Sequence, residues 1–231
     1  MKKQKILRWS HFAIILCIFL FIVFIGLSMF FYAGGTWIDY NSQRYSFSNN
    51  LFSDLSRRTT FLGTSNIISS ALFSTAMIVI GIAGIIFFLV LLPNFYEQKI
   101  TRRFSLAGSI FGILDSLIIA SLAFVPIDKY EGTHLILIIV LFSLLIMSTA
   151  LYSIVIIYQP SYPNFFGWVF LSFMIILVSF FILINYQFFE VFLEHLTMRA
   201  ICQEVVIGCG LINFLIQTSG LLKNNPYKSV K

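Results

Sequence analysis

The residue types that could do chemistry in this chain are concentrated in a few polar segments between long apolar runs. The stretch NNLFSDLSRR, residues 49–58, places two Asn, two Ser, one Asp and two Arg within ten positions. Asp54 precedes Arg57 and Arg58 by three and four residues, which is the spacing of an ion pair on one side of a helix. The sequence therefore predicts a short polar helix in this stretch, capped by Ser53 or Asp54.

Two other polar segments carry histidines and carboxylates, in residues 126–134 and 188–204. Two His and a carboxylate can bind zinc and leave one position open for water, so His134, His195 and Asp54 form a candidate zinc site. No H-E-x-x-H spacing occurs, and the three ligands come from separate segments, so no cofactor is predicted beyond this zinc candidate. Solvated interfacial histidines are the alternative. The titratable candidates of these two segments are Asp128, His134, His195, Arg199 and Glu204.

Asp115 lies near the middle of an apolar run, where an ionisable side chain is costly and marks a functional site by default. On a helix it shares one side with the small residues Ser105, Gly108, Gly112 and Ser116. Such a stripe lets helices approach closely, so we expect Asp115 to face protein rather than lipid. A proton or cation relay, a metal ligand and a substrate contact are the functional interpretations. A buried carboxyl that hydrogen-bonds to a neighbouring helix is the structural one.

The composition indicates what surrounds these residues. Of 231 residues, 59% are hydrophobic and 10% are charged, whereas soluble domains carry about 25% charged residues. A fold with so few charges cannot cover itself in water, so the chain is predicted to lie in a membrane. The net charge of +6 comes from basic residues clustered between apolar runs. We therefore expect membrane lipids, and not nucleic acid, as partners.

Six apolar runs are long enough to cross a bilayer, since a spanning helix needs about 20 apolar residues. The predicted fold is all-α: a polytopic membrane helix bundle with six transmembrane helices in a single domain, residues 1–231. The first run is too long for a signal peptide, so it is predicted to be retained. The three cysteines lie within apolar runs, so no disulfide framework is expected. The predicted spans are about 11–32, 66–92, 105–126, 134–157, 165–186 and 200–222.

Basic residues set the predicted orientation in the cell membrane. Placing the N-terminus inside leaves ten Lys and Arg in cytoplasmic segments and five in outer segments, which predicts that both termini are cytoplasmic. The longest connection, residues 33–65, is then an outer loop, and residues 188–199 are predicted to lie at the interface. The outer loop is longer than a connection requires. It is either solvated or a polar lid over the outer end of the bundle.

The order of these features resembles a family of bacterial and archaeal membrane proteins, the domain of unknown function 998. The matching stretches are NNLFSDLSRRT (49–59), SNIISSALF (65–73) and VPIDKYEGTH (125–134). The resemblance covers nearly the whole chain and implies about six helices and an outer SDL element, with no established activity. The family usually reads SDLG, and Ser56 stands here in place of that Gly.

Three functions are compatible with the sequence. The first choice is binding of a lipid, a small molecule or a partner helix in the outer half of the bundle, under the SDL element. The second is an intramembrane metal-assisted hydrolase with Asp115, His134 and His195 at one outer site. The third is a small transporter with Asp115 as the coupling group, although no inverted repeat is present. Whether the chain is an enzyme stays open at this point.

Overall fold

A computed structural model describes residues 2–186 and 194–223, which form six long helices. Short 3-10 helices extend the second long helix over Leu92–Phe95 and the third over Leu122–Phe124. All six long helices are long and apolar enough to cross a membrane, so the predicted all-α architecture with six candidate spans is confirmed. The long helices are α1 (Lys2–Phe30), α2 (Ile67–Leu91), α3 (Lys99–Ser121), α4 (Glu131–Tyr158), α5 (Asn164–Tyr186) and α6 (Glu194–Lys223).

The helix ends differ from the predicted spans where polar residues continue a helix. α1 begins at Lys2, well before the predicted start at residue 11, and α3 begins at Lys99. α6 begins at Glu194, which corrects the prediction of a separate interfacial segment: residues 194–199 belong to this helix. Residues 187–193 lie outside the described part. Lys, Arg and Glu are good helix formers, so hydropathy locates the apolar centre of each helix but not its ends.

The six helices pack in chain order as a closed ring. Each helix packs against the next one along the chain, and α6 returns to pack against α1. His11 of α1 donates from Nδ1 to the carbonyl oxygen of Thr218 of α6 at 3.1 Å, across 207 positions of the sequence. We call the end of the ring that carries residues 33–65 the loop end. The opposite end, which carries the start of α1 and the end of α6, is the terminal end.

Small residues allow the close packing of α2, α3 and α4. A Cβ atom at Gly81 of α2 would lie 2.7 Å from the carbonyl oxygen of Ser116 of α3, so the two backbones are in direct contact. Gly108 of α3 packs against Tyr152 of α4 so closely that a Cβ atom at Gly108 would lie 3.0 Å from the Tyr152 ring. The small side of α3 is therefore buried in protein, as the sequence predicts, and Asp115 is buried with it.

Candidate functional site

The NNLFSDLSRR stretch forms a single turn of 3-10 helix, Phe52–Ser56, which we call the loop helix. All five of its residues are buried, and Asp54 is 0% exposed. The predicted short helix is therefore present. Its burial contradicts the alternative of a solvated loop helix, because its polar side chains lie inside the protein at the loop end.

The carboxylate of Asp54 organises the loop helix by accepting three hydrogen bonds. Its Oδ2 accepts from the Leu51 N–H at 2.9 Å and from Asn50 Nδ2 at 3.3 Å, and its Oδ1 accepts from Arg57 Nε at 2.9 Å. The predicted ion pair of Asp54 and Arg57 is thus present. The cap prediction is wrong, because the helix begins at Phe52 after the N-cap Leu51, and Asp54 accepts the Leu51 N–H from the third helical position. Burial raises the pKa of Asp54, and the Arg57 guanidinium and the hydrogen bonds from Asn50 and Leu51 oppose that rise.

Arg57 connects the loop helix to aromatic side chains and to neighbouring helices. Its guanidinium carbon lies 3.8 Å from the centre of the Phe61 ring and 5.9 Å from that of Trp37, so cation–π contacts accompany the ion pair. Asn66 donates from Nδ2 to the Arg57 carbonyl at 2.8 Å, and its Oδ1 accepts from the Ala33 N–H at 3.1 Å. Asn66, at the start of α2, therefore ties Arg57, which follows the loop helix, to Ala33, just beyond the end of α1.

Asp128 fastens the same segment to the connection between α3 and α4. Its two carboxylate oxygens accept from the backbone N–H groups of Arg58 and Thr59, each at 3.1 Å. The side chain of Arg58 is exposed, so this residue contributes through its backbone. Ser56 adds a second attachment, because its Oγ accepts from the Ile127 N–H at 3.1 Å. A Gly at this position would lack that contact.

Two adjacent residues of α6 complete the attachment of the loop. Gln203 Oε1 accepts from the Phe52 N–H at 2.9 Å, and the Tyr45 hydroxyl donates to Glu204 Oε1 at 2.5 Å. Burial raises the pKa of Tyr45, and the neighbouring Glu204 raises it further. The loop helix is thus bound to α6 as well as to α2 and the α3–α4 connection.

A cavity of about 230 Å³ occupies the centre of the ring beneath the loop helix. All six long helices and the loop helix contribute to its lining, which is mostly apolar and includes nine Phe side chains. Among the described lining residues there is no Lys or Arg. Apolar cavities of about 150 Å³ already admit molecules of the size of benzene, so this cavity is large enough for a ligand.

The cavity is elongated along the axis of the ring. Its lining runs from His134 to Thr149 on α4 and from Gln203 to Gln217 on α6, which correspond to about 22 Å and about 21 Å at the helical rise. Half of a bilayer core measures about 15 Å. Tyr152, fully buried one turn beyond Thr149, stacks on the ring of Phe170 of α5. The residues that line the cavity therefore extend along most of the ring axis, which suits an elongated ligand.

His134 lies at the loop end of the cavity with one unpartnered ring nitrogen. Its side chain is 1% exposed, and Nδ1 lies 2.6 Å from the carbonyl oxygen of Val125. Because a carbonyl only accepts, Nδ1 carries the proton, and Nε2 of the neutral ring is an acceptor. Nε2 is buried and has no hydrogen-bond partner among the described residues.

Asp115 supplies a carboxyl group between the two ends of the cavity. Its side chain is 3% exposed, and Oδ1 is buried with no hydrogen-bond partner in the described part of the chain. The expected hydrogen bond to a neighbouring helix is therefore not made by this oxygen. Asp115 thus differs from Asp54, whose two oxygens are both occupied by donors of the protein.

Two amide side chains of α6 add further acceptors to the lining. Gln217 Nε2 donates to the carbonyl oxygen of Phe166 at 2.8 Å, and this bond fixes the orientation of the amide. Its Oε1 is buried and unpartnered among the described residues, as is Oδ1 of Asn213. Both residues line the cavity.

The predicted functional residues separate into three groups. Asp54 and Arg57 form the internal network of the loop helix. Asp115 and His134 line the cavity. The others lie on the elements that attach the loop, and they are Arg58, Asp128, Arg199 and Glu204. Arg199 is half-buried on α6, and Asp54 forms its ion pair with Arg57.

The proposed zinc ligands do not come together as a set within the described residues. No group of three or more potential metal-binding side chains is found there. Asp54 uses both of its oxygens in protein hydrogen bonds. The side chain of His195 lies outside the described part, so its role in such a site stays a prediction.

Sequence reasoning missed Asn50 and Gln203, which are central to the loop end. Asn50 is fully buried and donates from Nδ2 to the carbonyl oxygen of Gly35 at 3.0 Å as well as to Asp54. Asn50 precedes Asp54 by four residues, and this spacing, typical of neighbours on a helix, could have indicated their contact. No local signal identifies Gln203, because its partner Phe52 is 151 positions away.

Comparisons with protein-family models, with curated proteins and with solved structures found no match. The resemblance to the domain of unknown function 998 therefore stays a prediction.

Proposed function

We propose that this protein binds an elongated, largely apolar molecule, a lipid or a lipid-like small molecule, inside the ring beneath the loop helix. The observation that carries the proposal is a central cavity with an apolar lining and several unpartnered polar atoms. Small-molecule sites typically combine a mostly apolar lining with a few polar groups that orient the ligand. The cavity has both features.

The energetic cost of leaving this cavity empty supports a ligand. Protein interiors are close-packed, and an apolar space of about 230 Å³ left unfilled forgoes the packing contacts of its lining. Each buried polar atom without a partner adds roughly 1–3 kcal/mol. A bound molecule that fills the volume and satisfies the polar atoms offsets both costs.

The loop helix serves in this proposal as the cover of the cavity. Phe52 and Ser53 belong to the lining, and hydrogen bonds of Phe52, Ser56 and the adjoining Arg57 fix the loop helix to α6, to the α3–α4 connection and to the start of α2. We further propose that the ring spans the cell membrane with its loop end outside and both termini in the cytoplasm, as the basic residues favour. The ligand would then occupy the ring from its outer end inward.

Adjacent valines of α6 provide a matched test. Val206 lines the cavity and is 6% exposed, whereas Val205 is 54% exposed on the outer surface of the ring. Val206→Trp fills the cavity, and Val205→Trp adds the same side chain outside it. We expect lipophilic molecules that co-purify with the wild-type protein, detected by mass spectrometry of solvent extracts, to be lost from Val206→Trp and retained by Val205→Trp. Equal retention by two folded variants would refute binding in this cavity.

The two other functions have less support from the geometry. A metal-assisted hydrolase needs three ligands, and the described residues bring no such group together. A transporter needs two access routes and a coupling group, and Asp115 supplies only the second. Ligand binding requires no feature beyond those that the ring contains.

A further inference from the structure

We infer that the molecule bound in the cavity carries a cationic, hydrogen-bond-donating group, of the class of a long-chain amine, and that this group lies against Asp115. The inference rests on the proposed function and specifies the ligand class. Three properties of the lining lead to it: the type of its unpartnered polar atoms, the absence of a basic residue beside Asp115 among the described lining residues, and the surrounding aromatic rings.

The unpartnered polar atoms of fixed orientation are acceptors. His134 presents Nε2 because its Nδ1–H is used by a backbone carbonyl, and Gln217 presents Oε1 because its Nε2 is used in the same way. A ligand group that only accepts, such as a carboxylate, a phosphate or an ester carbonyl, would find no donor in these two side chains. His134 and Gln217 lie toward opposite ends of the cavity, so a donor group on the ligand satisfies whichever of the two acceptors it reaches.

The acidic and basic residues of the lining indicate that the donating group of the ligand is cationic. Asp115 is the only Asp or Glu among the described lining residues, and no Lys or Arg accompanies it. The contrast with Asp54 is direct, since that buried carboxylate is paired with Arg57 at 2.9 Å. A buried carboxylate without a counter-charge costs several kcal/mol, so the carboxyl group stays neutral in an empty cavity and ionises when a cation is bound beside it. An ammonium group supplies the missing charge together with up to three donors.

Aromatic rings near Asp115 favour a cation further. Phe88 packs against Gly112, one turn before Asp115 on α3, and it also lines the cavity. Phe87 and Phe214 continue the aromatic lining, with ring centres 5.1 Å apart. The faces of such rings attract cations, most strongly where water is excluded. The same rings accommodate the apolar chain of an amine.

Three probes of equal chain length separate the effect of the head group from that of the chain. Dodecylamine, 1-dodecanol and dodecanoate would each be titrated into the detergent-solubilised protein, and the shift of the thermal unfolding midpoint would be recorded. A ligand that binds only the folded state raises this midpoint. We expect dodecylamine to raise it most and dodecanoate least. A dodecanoate shift equal to or above that of dodecylamine in the wild-type protein would overturn the inference without any variant.

The variant Asp115→Asn tests the position of the cationic group. It preserves the shape of the side chain and removes its charge, so we expect the affinity for dodecylamine to fall about 30-fold or more, as for a buried charge pair that loses one partner. The affinity for 1-dodecanol should change little. Asp39→Asn is the matched control, because it removes the same charge from an exposed loop residue and reports any effect of the amine on the micelle.

The outcomes distinguish this inference from the proposed function. If Val206→Trp abolishes binding of the alcohol and the amine while Asp115→Asn leaves amine binding unchanged, the cavity binds ligands and the cationic inference is wrong. If none of the three probes binds and the wild-type protein retains no lipophilic molecule, the cationic inference and the proposed function are both wrong.

Discussion

Gln203 of α6 accepts the backbone N–H of Phe52 at 2.9 Å, and both residues line the central cavity. The first and last thirds of the chain therefore meet at the loop end of the ring, directly above the cavity. This hydrogen bond joins the cover of the cavity to the helix that closes the ring against α1. Its removal should loosen the cover without changing the charge of the protein.

Gln203→Leu should lower the stability of the folded state by about 1–3 kcal/mol, because the N–H of Phe52 is left buried without an acceptor. The measurement is the thermal unfolding midpoint in detergent, together with the rate of trypsin cleavage at the exposed Arg58. Cleavage should become faster as the loop helix detaches. Ser219→Ala, an exposed change on the same helix, is the control and should alter neither quantity. An unchanged cleavage rate in Gln203→Leu would show that this bond does not hold the loop.

Asp54→Ala should destabilise the protein strongly. An exposed ion pair contributes only about 0–1 kcal/mol, but Asp54 is fully buried and accepts from Arg57, Asn50 and the Leu51 N–H. Removal of one partner of a buried pair costs about 3–5 kcal/mol, because the other charge is left uncompensated. Thermal unfolding of Asp54→Ala beside Asp39→Ala, at an exposed position, measures the difference. Equal midpoints would show that the Asp54 network adds nothing to stability.

The pH dependence of stability should also report Asp54. Burial raises its pKa in the folded state, whereas in the unfolded chain an Asp titrates near about 3.9. Between these two pKa values the folded state binds more protons than the unfolded state, so this residue's contribution to stability falls as pH rises through that window.

The measurement is a pH series of unfolding midpoints, from about pH 4 upward, for the wild-type protein and Asp54→Asn. The midpoint of the wild-type protein minus that of the variant should decrease with rising pH. An increase would mean that the Arg57 pair outweighs burial and holds the pKa of Asp54 below its ordinary value.

The number of helices could be predicted from this sequence, whereas the closure of the ring could not. Apolar runs of spanning length identify each helix, and the small side of α3 correctly indicates that Asp115 faces protein. Ring closure depends on contacts such as that of His11 with Thr218, which leave no local pattern. The same holds for the cavity, because its lining combines residues from every helix.

The burial of the loop helix was likewise beyond local reasoning. Its polar composition is that of a solvated segment, and the spacing of Asp54 and Arg57 fits an exposed helix equally well. The deciding contacts come from distant elements: Gln203 on α6, Asn66 at the start of α2 and Ile127 before α4. Whether a polar residue is solvated or satisfied internally is set by such tertiary contacts.

The predicted orientation of the ring can be tested with single cysteines in intact cells. Asn41 is exposed within the loop that joins α1 and α2, and Ser229 lies near the C-terminus of the sequence. Because more basic residues lie in the segments at the terminal end, we expect that end to face the cytoplasm. A membrane-impermeant thiol reagent should therefore label Asn41→Cys and spare Ser229→Cys until the cells are opened. The wild-type protein provides the background from its native cysteines at positions 17, 202 and 209. Labelling of Ser229→Cys alone in intact cells would invert the orientation and place the loop helix, with its cavity, at the cytoplasmic face.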